Sequence, residues 1–567
     1  MATEVIAGRA LSRTEPPWRK RFRVLWKERD RSNFANFVDR LVGLYGGRTA
    51  FVLDAPIEYP GFSGDTLSYG DVGRLVNRFG GAMRALGVQK GDRVGLITMN
   101  RIEMAFVNFG LARIGAIPVP MNFMLRPNEI EFVVQKAGIE LLVIDEMVWD
   151  ATIKETSSVP GVKRWAIVGQ KAAPDGVASV REVMESAPDH IDPVEPASDE
   201  DVAMLFFTSG TTGFPKGSMM THAAAMIGMR NMVRMSSLSL RIPRRLGLLV
   251  MPVAHAAGYA TLMLNLGMGT PSYFMSKFDT NAIFDAVEQL HPTLIAGTPA
   301  MYRMLLHAGA RDRDWSSIKV FGGGADAFDD ELVRAVRELG ARKGLLGRRK
   351  LPWFVRGYGM AEANSYVTQT PWWETGDNCM GWVLKPVKYR IVDEDGRDVA
   401  SGKPGELLLK GPNITKGYWN DPEATKAAID EQGWFHTGDL VRKGKWRMLY
   451  FTGRSNDVIK SGGYKISANE IDQHLTQHPD VEHAATVGIP HPLKGERPFT
   501  AVQLRPGATT SSEELLAWAR ERIAPYKCPR GIIVIEDMPF TFSMKPKRRE
   551  VRERLIRYLP ESVKAGE

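Results

Sequence analysis

Residues 206–222 read Phe206-Phe207-Thr208-Ser209-Gly210-Thr211-Thr212-Gly213-Phe214-Pro215-Lys216-Gly217-Ser218-Met219-Met220-Thr221-His222. A short apolar run, Val202 to Phe207, leads into this stretch. Thr208, Ser209, Thr211 and Thr212 bring hydroxyls, Gly210, Gly213 and Gly217 bring bare backbone, and Lys216 brings a charge. Glycines let backbone N–H groups converge on one concavity, and such a nest binds anions. Polyphosphate is the guest that suits this composition. A Walker-type loop is excluded, because it needs Gly before the Lys and Ser or Thr after it; here Pro215 precedes Lys216 and Gly217 follows. A flexible surface loop is the plain alternative for any Gly/Ser/Thr cluster. The decision rests on what the rest of the chain supplies.

At 567 residues the chain is too long for one ordinary core, so a large domain with a smaller one is expected. Apolar content of 44% and charged content of 25% are those of a globular protein. The two cysteines, Cys379 and Cys528, give neither a disulfide framework nor metal-site spacing. A formal charge of +9 admits nucleic acid, an anionic membrane surface or anionic small molecules as partners. No nucleic-acid motif is visible, and small anions satisfy the charge. No apolar core follows the early charges, so a secretory signal is not expected and a cytoplasmic setting is. Residues 10–32 interleave arginines with Trp18, Phe22, Leu25 and Trp26. A surface helix is the favoured reading and a peripheral membrane contact the rival. Pro252, His255 and Gly258 interrupt the apolar stretch Leu246–Leu264, which reads as a buried strand, a loop and a core helix rather than a membrane span.

Elsewhere strands and helices alternate. Strands are expected at Thr66–Tyr69, Asp92–Thr98, Ala116–Pro120 and Leu141–Asp145, with a helix over Glu103–Gly115. After the glycine stretch come strands at Leu246–Pro252, Leu294–Gly297, Lys319–Gly323 and Phe354–Tyr358. This alternation implies parallel sheets under helical cover. From about residue 380 the pattern becomes antiparallel, with turns such as Asp395-Gly396, and a small β-rich unit ends near Phe451. Beyond Arg454 a mixed α+β pattern follows, ending in the basic run Lys545–Arg557.

Several short strings sit where such sheets place ligands, beyond the carboxyl ends of strands. In Gly357-Tyr358-Gly359-Met360-Ala361-Glu362, Tyr358 can stack on a purine and Glu362 can hold Mg²⁺ through a hard oxygen. Gly322-Gly323-Gly324-Ala325 offers bare backbone to a flat ring, or simply a tight strand-to-helix turn. The carboxylate of Asp439, in Thr437-Gly438-Asp439, is a strong acceptor for paired hydroxyls, fifteen residues before Arg454. A hairpin turn is the alternative there. His255 stands among small residues, Ala254, Ala256, Ala257 and Gly258, and a core histidine is its alternative role.

Jointly and in order, these strings resemble the signatures of the adenylate-forming family, which includes acyl-CoA synthetases and luciferases, over roughly residues 66–550. The string Thr-Ser-Gly-Thr-Thr-Gly-x-Pro-Lys-Gly carries most of that likeness. The resemblance implies an α/β fold: a large N-terminal domain, 1–453, of two βα-layered subdomains and a small β-barrel-like subdomain, followed by a small mobile α+β C-terminal domain, 454–567. It implies that ATP or AMP is held by Thr208, Ser209, Gly210, Thr211, Thr212, Gly213, Lys216, Gly324, Ala325, Tyr358, Asp439 and Arg454. Glu362 would bind Mg²⁺. Lys545, Glu362, Thr208 and His255 would serve catalysis. Lys460, Gly462 and Gly463 would serve the second half-reaction with coenzyme A, and Asn456 would be the hinge. The acyl pocket would be formed by His255, Ala256, Ala257, Gly258 and Met360, with the small residues suggesting a roomy channel.

The chain departs from the family pattern at Ala361, usually Thr; at Asn456, usually Asp or Lys; and at Met544 and Phe540 around Lys545, where Lys547 is the rival lysine. The implied reaction joins a carboxylic acid to the α-phosphate of ATP and then passes the acyl group to coenzyme A. Positioning and charge stabilisation would carry it. A medium or long aliphatic acid, or a bulky apolar one, is expected, and an aryl acid also fits. Loading of a carrier protein is the second reading, and a non-catalytic nucleotide binder the third. A homodimer is the assembly left open.

Overall fold

Leu141–Asp145 is five apolar-rich residues, all of them buried. A strand covered on both faces has no reason to alternate, and this one lies inside a parallel sheet. The computed structural model describes residues 32–559 except 126, 197, 209–214, 228–229, 231–245, 325–327, 344–348, 372, 374–375, 377, 455–456, 462–463, 492–494, 524, 526 and 541–545. The first sheet has five parallel strands in the order Ile117–Asn122, Arg93–Thr98, Leu141–Asp145, Arg164–Val168 and Ala178–Ser179.

A second, seven-stranded sheet runs Trp353–Arg356, Val320–Gly323, Leu294–Gly297, Gly247–Leu249, Ser272–Phe274, Thr49–Tyr59 and Phe62–Ser68. Its last two strands come from the N-terminal end of the described chain. Thr49–Tyr59 pairs in parallel with Ser272–Phe274, so the second sheet is completed from before the first begins. The expected Thr66–Tyr69 strand is the end of Phe62–Ser68. Tyr69 instead opens the helix Tyr69–Ala85, which Ser68 and Asp71 close with a reciprocal capping box.

The two layers share a core across helices. All twelve residues of Ile102–Arg113 are buried, Glu103, Asn108 and Arg113 among them. It crosses Tyr69–Ala85 at Gly80 and Gly110, where a Cβ on Gly110 would lie 2.7 Å from the Gly80 nitrogen. The stretch Leu246–Leu264 resolves as strand Gly247–Leu249, a turn, and the buried helix Ala256–Met268.

The glycine-rich stretch does not join a strand to a helix. It connects two antiparallel strands, Val202–Thr208 and Lys216–Thr221, with Thr208 opposite Lys216. This hairpin lies along Ile117–Asn122 of the first sheet. The β-rich unit is a six-stranded antiparallel sheet ordered Thr368–Gln369, Cys379–Val383, Leu449–Arg454, Phe435–Lys443, Pro404–Lys410 and Lys388–Val392.

Beyond Arg454, Val458–Ser461 starts another five-stranded sheet with Tyr464–Ser467, Val481–His491, Gly495–Leu504 and Gly531–Val534. Helices Ala468–Leu475, Ser512–Arg522 and Arg548–Tyr558 cover it. Among the described residues no helix is long and apolar enough to cross a membrane. The Arg-rich segment read as a surface helix or membrane contact lies almost wholly outside the described residues.

Candidate active site

The hairpin stems are locked to a distant segment. Trp419 N–H donates to the Gly217 carbonyl at 2.8 Å, and Met219 N–H donates to the Gly417 carbonyl at 3.2 Å. Thr415 donates its hydroxyl to the Met219 carbonyl at 3.0 Å, and its N–H reaches the Glu362 carbonyl at 2.6 Å. Residues 415–419 therefore join the hairpin to the segment that carries Glu362. Tyr418 completes the link: its hydroxyl donates to Glu362 Oε1 at 3.1 Å, and Lys216 Nζ lies 5.3 Å from its ring centroid. Burial first, and the Glu362 charge second, push the Tyr418 phenol above its ordinary value, so it remains a donor.

Gly217 is required because a Cβ there would meet the Phe207 ring at 2.8 Å. Of the expected phosphate-binding residues, Ser209, Gly210, Thr211, Thr212 and Gly213 lie outside the described residues, while Thr208 and Lys216 stand opposite each other at the stem ends. Among the described residues there is no cluster of three or more metal-ligating side chains. The Glu362 carboxylate, half-buried and steadied by Tyr418, fits a Mg²⁺ ion held by one carboxylate together with phosphate oxygens.

A second constellation lies where the seven-stranded and antiparallel sheets meet. Asp439 and Arg454 are cross-strand partners on Phe435–Lys443 and Leu449–Arg454, and Arg454 Nε lies 3.0 Å from Asp439 Oδ1. Tyr358, two residues past the strand Trp353–Arg356, donates its hydroxyl to Asp439 Oδ2 at 2.6 Å. Thr437 Oγ1 accepts from the Asp439 N–H at 3.1 Å. Asp439 is 2% exposed, a buried carboxylate with its charge balanced locally. The sequence reading placed these three residues at the base and ribose, and the fold brings them together.

Gly324 packs against a ring of the protein itself. A Cβ at Gly324 would meet the Tyr366 ring at 2.8 Å, and one at Gly357 would meet it at 2.6 Å. Ala325 lies outside the described residues.

The turn before Ala256–Met268 is held tightly. His255 is the N-cap, with Nδ1 accepting from the Ala257 N–H at 3.3 Å. Asn100 clamps the same turn between the sheets. Its Oδ1 accepts from the Val253 N–H at 2.9 Å and its Nδ2 donates to the Met275 carbonyl at 2.7 Å.

One expectation needs correction here. Gly258 does not widen a channel: a Cβ on it would lie 2.1 Å from the Pro252 carbonyl oxygen, so it is small to let the helix start cross the preceding turn. Met360 sits with its sulfur 3.8 Å from the Tyr358 hydroxyl and packs on the core of the antiparallel sheet. Ala256 does line a small apolar cavity of about 30 Å³, together with Ala361.

Lys460 lies on Val458–Ser461 opposite Lys465, whereas Asn456, Gly462, Gly463 and Lys545 lie outside the described residues. The sequence reading missed Asn100, Tyr366, Thr415 and Tyr418. Only Gly417-Tyr418-Trp419, a glycine before paired aromatics, carried a signal.

Known proteins match this architecture. The model of the AMP-binding enzyme family matches residues 39–419, and that of the AMP-binding enzyme C-terminal domain matches 470–545. The chain belongs to the AMP-binding enzyme family. Feruloyl-CoA synthase from Amycolatopsis sp is 31% identical over 496 residues, 87% of this chain and 94% of that protein. 2-Succinylbenzoate–CoA ligase of Geobacillus kaustophilus is 32% identical over 479 residues, 83% of this chain and 89% of that protein. ATP-bound MatB from Rhodopseudomonas palustris superposes with a TM-score of 0.79 at 25% identity, covering 92% of this chain and 99% of that one. This AMP-binding enzyme is an AMP-forming acid–CoA ligase: it activates a carboxylic acid as the acyl-adenylate and transfers it to coenzyme A, using ATP and Mg²⁺.

Proposed function

We propose that the acid is an aryl acid, and that 454–567 acts as a separate unit presenting different residues to the two half-reactions. The observation that carries the substrate class is the ring-rich wall of the small apolar space beside Ala256 and Ala361. That space is walled by Phe34, Phe206 and Tyr259, whose rings meet edge-on at 6.5 Å and 6.0 Å. A rigid aromatic wall suits a flat ring, which gains edge and face contacts there. A long flexible chain would lose rotamer freedom in the same space. Relatives named for ferulate and 2-succinylbenzoate support this reading over the fatty acid expected from the small residues at 254–258.

In the adenylation step Lys216 and the hairpin loop grip the β- and γ-phosphates, with the loop acting as a clamp on the leaving pyrophosphate. Tyr358, Asp439 and Arg454 hold the nucleoside, and Glu362 holds Mg²⁺. Lys545 neutralises the α-phosphate as the carboxylate attacks. The C-terminal unit then turns about Asn456, withdrawing Lys545 and bringing Lys460, Gly462 and Gly463 to the adenylate for thiolate attack, a hinge motion of known type.

Coenzyme A ligation across matched aryl and aliphatic acids tests the substrate class. Aryl acids are expected to win by at least about tenfold in kcat/KM, the worth of roughly 1.4 kcal/mol; a win for aliphatic acids of any length overturns it. Lys545→Ala tests the two-pose scheme. It is expected to lose a few hundredfold in pyrophosphate exchange, about 3–4 kcal/mol, while still forming thioester from supplied acyl-adenylate. Equal loss in both assays rejects the scheme.

A further inference from the structure

The strands Phe435–Lys443 and Leu449–Arg454 hold Asp439 and Arg454 toward one end and close in a tight turn at the other. Lys443 stands opposite Leu449, and Met448 N–H donates to the Lys445 carbonyl at 3.2 Å. The two central residues, Trp446 and Arg447, both have positive φ, 53° and 63°. A turn with positive φ at both central positions normally takes Asn-Gly. Bulky side chains are strained there, and such strain persists where it has a use. Burial does not compensate for it. Trp446 is 65% exposed, and Lys445 and Arg447 are exposed beside it.

The displayed indole is not alone. Trp373, 38% exposed, meets it edge-on at a centroid distance of 6.1 Å and meets Trp382 at 5.8 Å. Trp382 Nε1 donates to the Trp446 carbonyl at 2.8 Å and fixes the turn from behind. Cations surround the rings. Gly402 N–H donates to the Lys443 carbonyl at 2.9 Å, which sets the exposed Lys403 beside Lys445 and Arg447. On the neighbouring hairpin, Asp395 and Asp398 are already paired with Arg397 and Arg390 at 3.1 and 2.9 Å. Exposed indoles among cations are the composition of a contact with a membrane surface, where indole settles at headgroup level.

Trp373 also walls a polar cavity of about 110 Å³, shared with Arg334 and Arg337 of the helix Asp330–Leu339 and with Arg356. Arg356 is held by donating to the Phe328 and Gly376 carbonyls, each at 3.2 Å, and Arg337 by donating Nε to the Pro352 carbonyl at 3.0 Å. Among the described residues, Asp330 is the one carboxylate in that lining, 3.6 Å from Arg356 Nη1. Three guanidiniums against one carboxylate suit a phosphate group. A bilayer meets both features at once, with a headgroup phosphate in the cavity and the indoles in the surface beside it. A tryptophan on a projecting turn enters such a soft surface readily, whereas a protein partner needs a matching hollow for it.

We propose that the face formed by Trp446, Trp373 and their surrounding cations docks the enzyme on an anionic lipid surface. The test is co-sedimentation of the full chain with sucrose-loaded vesicles of phosphatidylcholine, alone or with about 30% phosphatidylserine. Wild type is expected to partition at least about tenfold more strongly onto the anionic vesicles, and less as salt rises. Trp446→Asn removes the indole and keeps a residue that tolerates left-handed backbone. It is expected to bind anionic vesicles at least about tenfold more weakly, the worth of withdrawing one large apolar side chain. It should melt no lower than wild type and ligate coenzyme A at the wild-type rate without vesicles. Arg447→Gly, which also suits its backbone, is expected to lose about fivefold in binding, the worth of one basic residue near such a surface.

The proposal falls if wild type does not prefer anionic vesicles, or if both variants bind as wild type does, which would move the contact to residues 1–31. It falls if inorganic phosphate at matched ionic strength displaces the protein, which would make the cavity a site for a free anion. Binding to polyglutamate as strong as to vesicles, and lost with Trp446→Asn, would reassign the face to an acidic protein. A Trp446→Asn chain that melts well below wild type would show the indole to be a structural prop rather than a displayed anchor.

Discussion

The two ends of the proposed nucleotide site are built on the same unit used in different ways. At the nucleoside end Tyr358 donates to Asp439 at 2.6 Å; at the phosphate end Tyr418 donates to Glu362 at 3.1 Å. Both phenols are pushed above their ordinary value, by burial first and by the neighbouring carboxylate second. The cation makes the difference. Arg454 sits on the Asp439 carboxylate at 3.0 Å, whereas Lys216 sits over the face of the Tyr418 ring. A carboxylate already balanced by arginine is suited to neutral partners such as ribose hydroxyls. A lysine lodged on an aromatic face keeps its charge available for phosphate, and in the proposed function a carboxylate such as Glu362 is a ligand for a hard metal ion. Under the proposed function, the position of one cation thus separates a hydroxyl reader from a charge reader.

If that contrast is right, the two carboxylates fail differently. Asp439→Asn removes charge-assisted hydrogen bonds worth about 1.5–3 kcal/mol. The KM for ATP is expected to rise roughly ten- to a hundredfold, with the Mg²⁺ concentration for half-maximal rate unchanged. An equal shift in Mg²⁺ requirement would collapse the contrast. Tyr418→Phe is the milder, sharper probe. It deletes one hydrogen bond to Glu362 and keeps the ring beneath Lys216, so the loss is near 1 kcal/mol, about fivefold. That loss should appear in a Mg²⁺ titration of pyrophosphate exchange and not in the ATP KM extrapolated to saturating Mg²⁺. Asn100→Ala strips partners from the Val253 N–H and the Met275 carbonyl, both in buried surroundings. It is expected to lower stability by about 1–3 kcal/mol, read as a drop in urea midpoint at unchanged slope.

Much of this site was legible in the residues because it lies at strand ends. Leu141–Asp145 and Leu294–Gly297 form strands with the boundaries their apolar runs suggest. Tyr358, Asp439 and Arg454 could be placed together because each belongs to a short string with its own chemistry. Contacts made by lone residues across the chain were not legible. Tyr418 and Tyr366 gain meaning only from Glu362, Gly324 and Gly357, against which the fold sets them. The strand Thr49–Tyr59 was missed because Asp54-Ala55-Pro56 breaks its pattern and its parallel partner, Ser272–Phe274, lies more than two hundred residues away. Gly258 misled for a related reason: a small residue looks the same in sequence whether it leaves space or lets two backbone segments touch. Likewise, Lys216 after Pro215 gave no hint that it opens a second strand.

The smallest expected effect separates the two ends by pH. The hairpin is anchored from behind through His222, which is 6% exposed and whose Nδ1 accepts from the Phe34 N–H at 3.3 Å. Its own N–H donates to the Asp201 carbonyl at 3.1 Å. Burial lowers the His222 pKa against the opposing pull of Asp201, Asp199 and Glu195, with Lys90 adding to the lowering. A histidine held neutral by folding contributes stability above its unfolded pKa, about 6.5, and loses that contribution as pH falls through the depressed folded value. Protonating Nδ1 also removes the acceptor that Phe34 uses. Wild-type melting temperature is therefore expected to fall between pH 6.5 and 5 by more than that of His222→Gln, whose amide oxygen can accept the same bond without titrating. The nucleoside end has no histidine in its Tyr358–Asp439–Arg454 constellation. The stability difference between the two proteins should thus be matched by a pH-dependent loss of pyrophosphate exchange in the wild type, with AMP affinity the same in both. Parallel loss of AMP affinity would mean that the two ends are mechanically one.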